Sequence, residues 1–338
     1  MKPTPLLPPF PNGWYVLAVS STLKKGELQT KLFAGDEVVL FRTEKGEACV
    51  IDAYCPHLGA HFGHGGKVCG ECIRCPFHSF EFDTKGECTK TGYNTPAPPK
   101  AKAKVYPVRE LNGFILVYHH TEGLAPDWEI PLIDSSDWMP FKWIEWELRS
   151  HPQEIAENSV DIGHFSETHG YTKVEMVKAP ETNGAYLTAI YAMERQSFFG
   201  KWANPIRVQF EAHAYGLGYS FVEASTAQYG ISTRHYVQTV PLEEGRVLLR
   251  IASSVKKVAQ ASKINPILSI FPKFLLNRIL SGVIFNGYKH DVSQDFKIWE
   301  NKKYIHRTPL AQGDGPIGLY RTWAKQFYTE AIPTDSLV

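Results

Sequence analysis

The stretch Cys55-Pro56-His57-Leu58-Gly59-Ala60-His61 is answered, with 17 residues intervening after His57, by Cys75-Pro76-Phe77-His78. Each segment offers one thiolate and one imidazole, and the proline and glycine around them mark both as loops rather than regular elements. The surroundings predict short strands to carry these loops. Residues 37–42 and 48–54 flank a Lys45-Gly46 turn, and residues 113–118 form a further β-branched and aromatic run. The proline run at 96–99 predicts irregular backbone, and residues 122–131 read as a linker.

Two cysteines and two histidines in two loops suit a 2Fe–2S cluster in which cysteines hold one iron and histidines the other. Neutral imidazole carries less negative charge than thiolate, which raises the potential above that of all-cysteine clusters. A competing pattern exists. Cys69, Cys72 and Cys75 form a C-x2-C-x2-C run, but the ferredoxin spacing would need a fourth cysteine at 79, where Ser79 stands. Zinc held by that run with His78 stays open at this point. Cys49 and Cys88 read as packing residues, and His61 and His64 receive no ligand role.

The six cysteines all lie between 49 and 88, in a chain of 338 residues. A disulfide-stapled secreted protein would spread them, so the expected compartment is a reducing one, the cytoplasm. The N-terminus lacks the charged start and apolar core of a secretory signal. A formal net charge of +1 gives no electrostatic reason to expect nucleic acid or an anionic membrane surface as partner. The most apolar stretch, 267–285, is interrupted by Pro272, Lys273, Asn277 and Arg278, so neither a membrane span nor membrane contact is expected. Its apolarity suits the mouth of a greasy pocket or, equally, a core or subunit-interface helix.

Beyond the linker the rhythm changes. Residues 152–170 have helical spacing. Alternating runs at 186–195, 206–215, 219–224, 235–242 and 247–253 follow, with turns at 216–218 and Glu244-Gly245, and predict an antiparallel sheet. Residues 266–303 return to helical spacing. The fold class expected is α+β in two domains, 1–130 and 131–338.

Residues 157–169 read Glu-Asn-Ser-Val-Asp-Ile-Gly-His-Phe-Ser-Glu-Thr-His. Two histidines near a carboxylate, with an acidic ligand from elsewhere, would make a 2-His-1-carboxylate site for Fe(II). Asp161 and His164 are three apart and share a helical face, so the Asp161 carboxylate can orient that imidazole. His164 and His169 are five apart, about 140° around a regular helix. Both reach one metal only if the helix ends or bulges between them, and the break is expected near 165–168.

These motifs together resemble the Rieske protein superfamily. Rieske subunits of respiratory complexes carry an extra cysteine in each loop, joined as a disulfide; Ala60 and Phe77 stand there in this chain. They also place a serine hydroxyl near the cluster, where this chain has Phe80, so a potential at the lower end of the Rieske range is expected. The run at 157–169 resembles the iron-binding segment of Rieske non-haem iron oxygenases. By that resemblance His164 and His169 are iron ligands, Asp161 carries the electron path between centres, and Asn158 is a polar residue facing the iron. The third ligand is then Asp295 in the C-terminal helix, with Asp291 as its rival. The resemblance implies an all-β Rieske domain followed by a helix-grip catalytic domain.

The run 52–60 is similar to the steroid-acting branch, which includes ketosteroid 9α-hydroxylases and cholesterol 7-desaturases. So are Gln153-Glu154-Ile155 and the C-terminal Asp314-Gly315-Pro316 with Arg321, Trp323, Gln326, Phe327 and Tyr328. Bacterial members of that branch are homotrimers in which one subunit's cluster serves the next subunit's iron. Two departures stand out: Ser79-Phe80 replaces the usual Gly-Trp, and Gly170-Tyr171-Thr172-Lys173 has no counterpart.

No Gly-x-Gly-x-x-Gly follows a strand, and Gly63-His64-Gly65-Gly66 falls inside the cluster region. Electrons are therefore expected from a separate NAD(P)H reductase, with or without a ferredoxin between. The function expected is that of a terminal monooxygenase component that uses O2 to hydroxylate or desaturate a bulky apolar steroid or sterol. An oxygenase acting on an aromatic substrate, a Rieske electron carrier without chemistry of its own, and a regulatory or lipid-binding protein with a vestigial iron site are the alternatives.

Overall fold

The computed structural model describes residues 7–196, 204–264, 268 and 270–329. It divides into two compact units, one of residues 12–132 with 240–244, the other of the remainder.

The first unit is built of strands. Gly13–Val19, Phe114–His119 and Val108–Leu111 form a three-stranded sheet. Leu28–Phe33, Asp36–Arg42, Ala48–Asp52 and Val105–Tyr106 form a four-stranded one. A smaller four-stranded sheet pairs Lys67–Cys69, Cys72–Arg74, Glu81–Phe82 and Cys88–Lys90. Every residue of Gly13–Val19 is buried, as are Val38–Phe41 and Phe114–Val117. Those runs are apolar on both faces because both are covered, which is why they lack alternation.

The second unit is a seven-stranded sheet with helices. In spatial order the strands are Lys142–Arg149, Arg246–Val255, Ile231–Glu243, Tyr219–Thr226, Ile206–Tyr215, Tyr186–Arg195 and Thr172–Asn183. The five expected strands are present. The flanking two, Lys142–Arg149 and Thr172–Asn183, are additional, and the latter is an exposed edge broken by register shifts. The long helix α3 (Lys273–Trp299) packs Phe285, Tyr288, Val292, Phe296 and Trp299 against Leu148, Val247, Leu249 and Ile251 of the sheet. It starts after Pro272 rather than at 266, because proline cannot supply an interior helical N–H. Residues 266, 267 and 269 of the expected helical stretch lie outside the described residues. No helix among the described residues is long and apolar enough to cross a membrane.

The stretch 152–170 is not one helix. It is α1 (Pro152–Ala156), a 3-10 turn Glu157–Ser159, and α2 (Gly163–Glu167), before α3 and α4 (Ile317–Ala324) later in the chain. The break expected at 165–168 is there, since α2 ends at Glu167, and a further break falls at 160–162. There the Ile162 N–H turns out of the helix to the Asp314 carbonyl at 3.3 Å. Gly315, with φ +85°, lies so close over the break that a Cβ would sit 2.5 Å from the Val160 carbonyl oxygen. Only glycine fits this approach. Beyond the end of α2 the chain reverses at Gly170, φ +69°, where Tyr171 N–H bonds back to Phe165 O at 3.0 Å.

Candidate functional site

The two cluster loops leave the ends of Ala48–Asp52 and Cys72–Arg74 and turn tightly. In the first, Cys55 N–H bonds Ala60 O and Gly59 N–H bonds Cys55 O, both at 2.9 Å, with Gly59 at φ +75°. In the second, Cys75 N–H bonds Phe80 O at 2.8 Å across Ser79, whose φ is +56°. Cys55 and Cys75 are buried in the core with Phe62, Phe80 and Phe82. The His57 and His78 rings meet at 4.9 Å, and His57 stacks flat on Phe80 at 4.2 Å.

These residues suit a cluster on two counts. Nδ1 of both His57 and His78 is buried without a hydrogen-bond partner, an arrangement that costs stability unless another group takes the lone pair. Burial also pushes the Cys55 thiol up to about 12, so a thiolate there needs iron beside it. The zinc reading loses support. Cys69 faces Cys72 across a hairpin, Cys72 Sγ lies 3.5 Å from Thr89 Oγ1, and neither joins Cys75 and His78 in a group of converging donors among the described residues. His61 accepts from Gly63 N–H at 2.9 Å and faces Glu37 at 3.4 Å, away from any ligand role.

The second unit brings three expected residues together. His164, on α2, and His169, two residues beyond its end, offer donor atoms within 4.8 Å of each other and of an Asp295 oxygen from α3. Among the described residues this is the one such group. Asp291 borders the same cavity but stands outside this group: its carboxylate accepts from the Tyr171 hydroxyl at 3.4 Å and faces Arg195 at 3.8 Å. Asn158 and His164 line the same cavity as the triad.

Both imidazoles are held through Nδ1. His164 Nδ1 meets the backbone carbonyl of Asp161 at 2.5 Å, while the Asp161 carboxylate accepts from the His164 backbone N–H at 3.2 Å. It is thus the peptide of Asp161, more than its side chain, that orients the ring. His169 Nδ1 meets the Gln294 side-chain oxygen at 2.8 Å. Each ring is left with Nε2 as the atom offered to the centre, and His169 Nε2 lies 3.5 Å from Asp295. Burial pulls His169 down, but its hydrogen bonds to Asp295 and Gln294 outweigh this and hold it above the ordinary histidine range. Burial lowers His164. Two imidazole lone pairs and a buried carboxylate aimed at one point repel unless a cation or a proton joins them, and this donor set suits Fe(II).

Gln294 was missed because an exposed glutamine beside an acidic residue has no sequence signature. A second feature is the clamp behind the site. The Glu157 carboxylate takes a two-pronged bond from Arg321 at 2.6 and 3.0 Å, and Lys302 reaches Glu154 at 2.9 Å and Glu157 at 3.3 Å. The hydroxyls of Tyr320 and Tyr328 donate to Gln153 at 2.8 Å each. Arg321 and Tyr328, singled out in the sequence, thus help to fix α1 and the turn that carries Asn158.

Over the triad lies a cavity of about 430 Å³. Its walls are apolar side chains of alternate positions on three strands, including Val208, Phe210, Ala212, Val222, Ala224 and Val237, closed by Leu280, Val283 and Ile284 of α3. Polar residues also border it, among them Asn158, Arg195, Thr226, Thr233, His235 and Asp291.

Comparison with known proteins places this architecture. Residues 13–107 match the Rieske [2Fe-2S] domain, and residues 117–328 match the 3-ketosteroid 9alpha-hydroxylase C-terminal domain. Cholesterol 7-desaturase nvd of Xenopus laevis is 32% identical over 97% of this chain and 74% of its own length. The oxygenase component of 3-ketosteroid-9-alpha-monooxygenase of Rhodococcus rhodochrous is 26% identical, over 95% and 82%. Among solved structures, dicamba monooxygenase with 3,6-dichlorosalicylic acid superposes with a TM-score of 0.72 at 17% identity, covering 94% of this chain and 96% of the other. NdmA of Pseudomonas putida with caffeine gives 0.70 at 15% identity, covering 92% and 89%. The two structures share the fold. The chain is therefore an oxidoreductase with a Rieske [2Fe–2S] domain, and belongs to the Rieske oxygenase family of the 3-ketosteroid 9α-hydroxylases and cholesterol 7-desaturases.

Proposed function

We propose that the chain is the terminal oxygenase of a multi-component system that hydroxylates or desaturates a sterol or steroid. The observation that carries this is the apolar cavity of about 430 Å³ bordered by His164, His169 and Asp295. Its size falls within the roughly 300–1,000 Å³ of small-molecule sites, and its walls suit a rigid hydrocarbon skeleton rather than a charged aromatic acid.

Cys55, His57, Cys75 and His78 would hold the 2Fe–2S cluster, and His164, His169 and Asp295 a mononuclear Fe(II). When bound, these groups supply one-electron transfer and dioxygen activation. The chain's own residues position and shield. The apolar walls keep water from the substrate, Gln294 and the Asp161 carbonyl hold the imidazoles, and Asp161 links the two centres between neighbouring subunits of a homotrimer. Asn158 borders the same space from the clamped 3-10 turn. Residues 1–130 and 131–338 divide these two tasks. A separate NAD(P)H reductase supplies electrons, directly or through a ferredoxin, and the free, clustered cysteines favour the cytoplasm.

The test incubates the chain, a surrogate reductase and NADH with sterols, steroids and aromatic acids, and reads product mass. Sterol products that disappear in Asp161→Ala, with the cluster spectrum unchanged, are expected. Turnover of aromatic acids alone would refute the substrate class. An Asp161→Ala variant with full turnover would refute the proposed electron path.

A further inference from the structure

The first turns of α3 are built the wrong way round for a helix on a water-facing surface. Ile270 is 82% exposed and Phe274 73%, and Phe271, Leu275, Ile279 and Val283 are exposed with them. Leu275, Ile279 and Val283 are four apart and make one stripe along the helix, which Ile270, Phe271 and Phe274 extend at its start. The inward face carries polar groups instead. Asn277 is buried and accepts from Val258 N–H at 2.9 Å, and the buried Ser281 hydroxyl donates to Asn277 O at 2.8 Å. These bonds fix the helix with its apolar stripe outward, the reverse of ordinary amphipathic packing.

The charge around the stripe is one-sided. No aspartate or glutamate stands between Gly245 and His290, in a chain that has 35 of them, whereas eight lysines and arginines do. The net charge of +1 hides this local excess. Lys273 and Arg278 are exposed on α3 beside Phe274, and exposed Lys263 lies over the turn at Gly230, between Tyr229 and Ile231 of the cavity wall. Lys256 and Lys257 are engaged elsewhere, by Asp134 and by the Ser136 carbonyl. The stripe also runs on into the cavity: Val283 belongs to both, and Leu268, Leu280 and Ile284 line the cavity beside it. Pro272, Lys273, Asn277 and Arg278 exclude a membrane span, but they do not prevent a helix from lying on a membrane surface.

We propose that this face docks on an anionic lipid bilayer and sets the cavity against the source of its apolar substrate. The docking stands on the surface alone; the delivery of substrate rests on the sterol reading above. Ile270, Phe271, Phe274 and Ile279 enter the boundary between headgroups and acyl chains, while Lys263, Lys273 and Arg278 meet the lipid phosphates. A sterol held in the bilayer then reaches the cavity without crossing water. A second copy of the chain suits the face less well, because a two-fold contact presses Lys273 and Arg278 on their own counterparts.

The test sediments the purified, cluster-loaded chain with vesicles of phosphatidylcholine, alone or with about one-third phosphatidylserine, in the absence of substrate. Binding to the anionic vesicles is expected to be at least about tenfold tighter than to the neutral ones and to weaken as salt rises. Lys273→Gln with Arg278→Gln should remove most of that preference, and Phe274→Ser with Ile279→Ser should weaken binding to both vesicles at least about tenfold. These side chains are exposed, so both variants should keep the cluster spectrum and urea midpoint of the wild type. No vesicle binding, equal binding to the two vesicles, or unchanged binding in either variant would overturn the docking. So would a smaller assembly of the Phe274→Ser, Ile279→Ser chain in sedimentation velocity, which would make the face a contact between subunits. Delivery is read separately: this variant should slow product formation from cholesterol in vesicles but not from cholesterol carried by cyclodextrin. Equal slowing with both carriers would overturn delivery. Turnover from neither carrier in the wild type would refute the sterol reading, and the vesicle result would still decide the docking.

Discussion

Gln294 offers the sharpest test of the triad. Its side-chain oxygen lies 2.8 Å from His169 Nδ1, on the exposed face of α3 one residue before buried Asp295. Gln294→Leu keeps length and helix propensity while deleting the acceptor. The folded chain should lose less than about 0.5 kcal/mol, because an exposed helix position with no packing role rarely costs more. The metal should lose far more. Without its partner the imidazole is free to rotate, and its proton is no longer confined to Nδ1, so Nε2 presents a lone pair to the centre only part of the time. Removing such an orienting contact costs about 10- to 100-fold in metal affinity, or about 1.4 to 2.8 kcal/mol. Co(II) added to the iron-free second site gives visible absorption bands that report occupancy, while the cluster's own spectrum reports the other unit. The expected result is a Co(II) dissociation constant raised at least about tenfold with the cluster spectrum and urea midpoint unchanged. Equal affinity in the two proteins would refute the orienting role and, with it, the argument that the Nε2 atoms are the ligands.

Two further outcomes follow from strained or buried groups. Ser79 occupies φ +56° in the second cluster loop, a conformation that costs a side-chain-bearing residue about 1 kcal/mol; Ser79→Gly should therefore slow loss of the cluster's visible absorption in urea, and faster loss would show that the strain is not there. His151 caps α1, its Nδ1 accepting from Gln153 N–H at 3.1 Å while Nε2 meets Pro8 O at 3.0 Å, and burial lowers it to about 4. The folded state thus favours the neutral ring: its stabilisation is full above the unfolded value of about 6.5 and is lost as pH falls from there towards 4, by up to about 3 kcal/mol. His151→Asn retains an acceptor cap, and its urea midpoint should fall less between pH 7 and 5 than that of the wild-type chain; parallel decline in both would exclude His151 as the source.

How far the chain can be read from sequence depends on where each signal lives. The strands at 186–195 and 206–215 were legible because one face packs on apolar neighbours and the other does not, which writes period two into the residues. Thr172–Asn183 was not legible: it is an edge strand, exposed along most of its length and interrupted by bulges, so no burial constrains its alternation. Lys142–Arg149 pairs with Arg246–Val255, about a hundred residues away in sequence, and only Leu148 is fully buried. The unanticipated break at 160–162 has the same origin. Periodicity within the segment permits a helix, and what interrupts it is a glycine loop at 313–315 that arrives from the other end of the chain.

The same distinction separates the parts of the site. Ligand types and spacing are local, so Cys55, His57, Cys75, His78, His164 and His169 could be proposed as ligands from their own loops. Asp295 over Asp291 could not be decided locally, since the two are four apart and share a helical face. What separates them is their surroundings: Asp291 is already engaged by Tyr171 and Arg195, whereas Asp295 faces the two imidazoles. Sequence names the atoms that can do chemistry, but which lone pairs are left bare is decided by every hydrogen bond around them, and that accounting exists only in the folded chain.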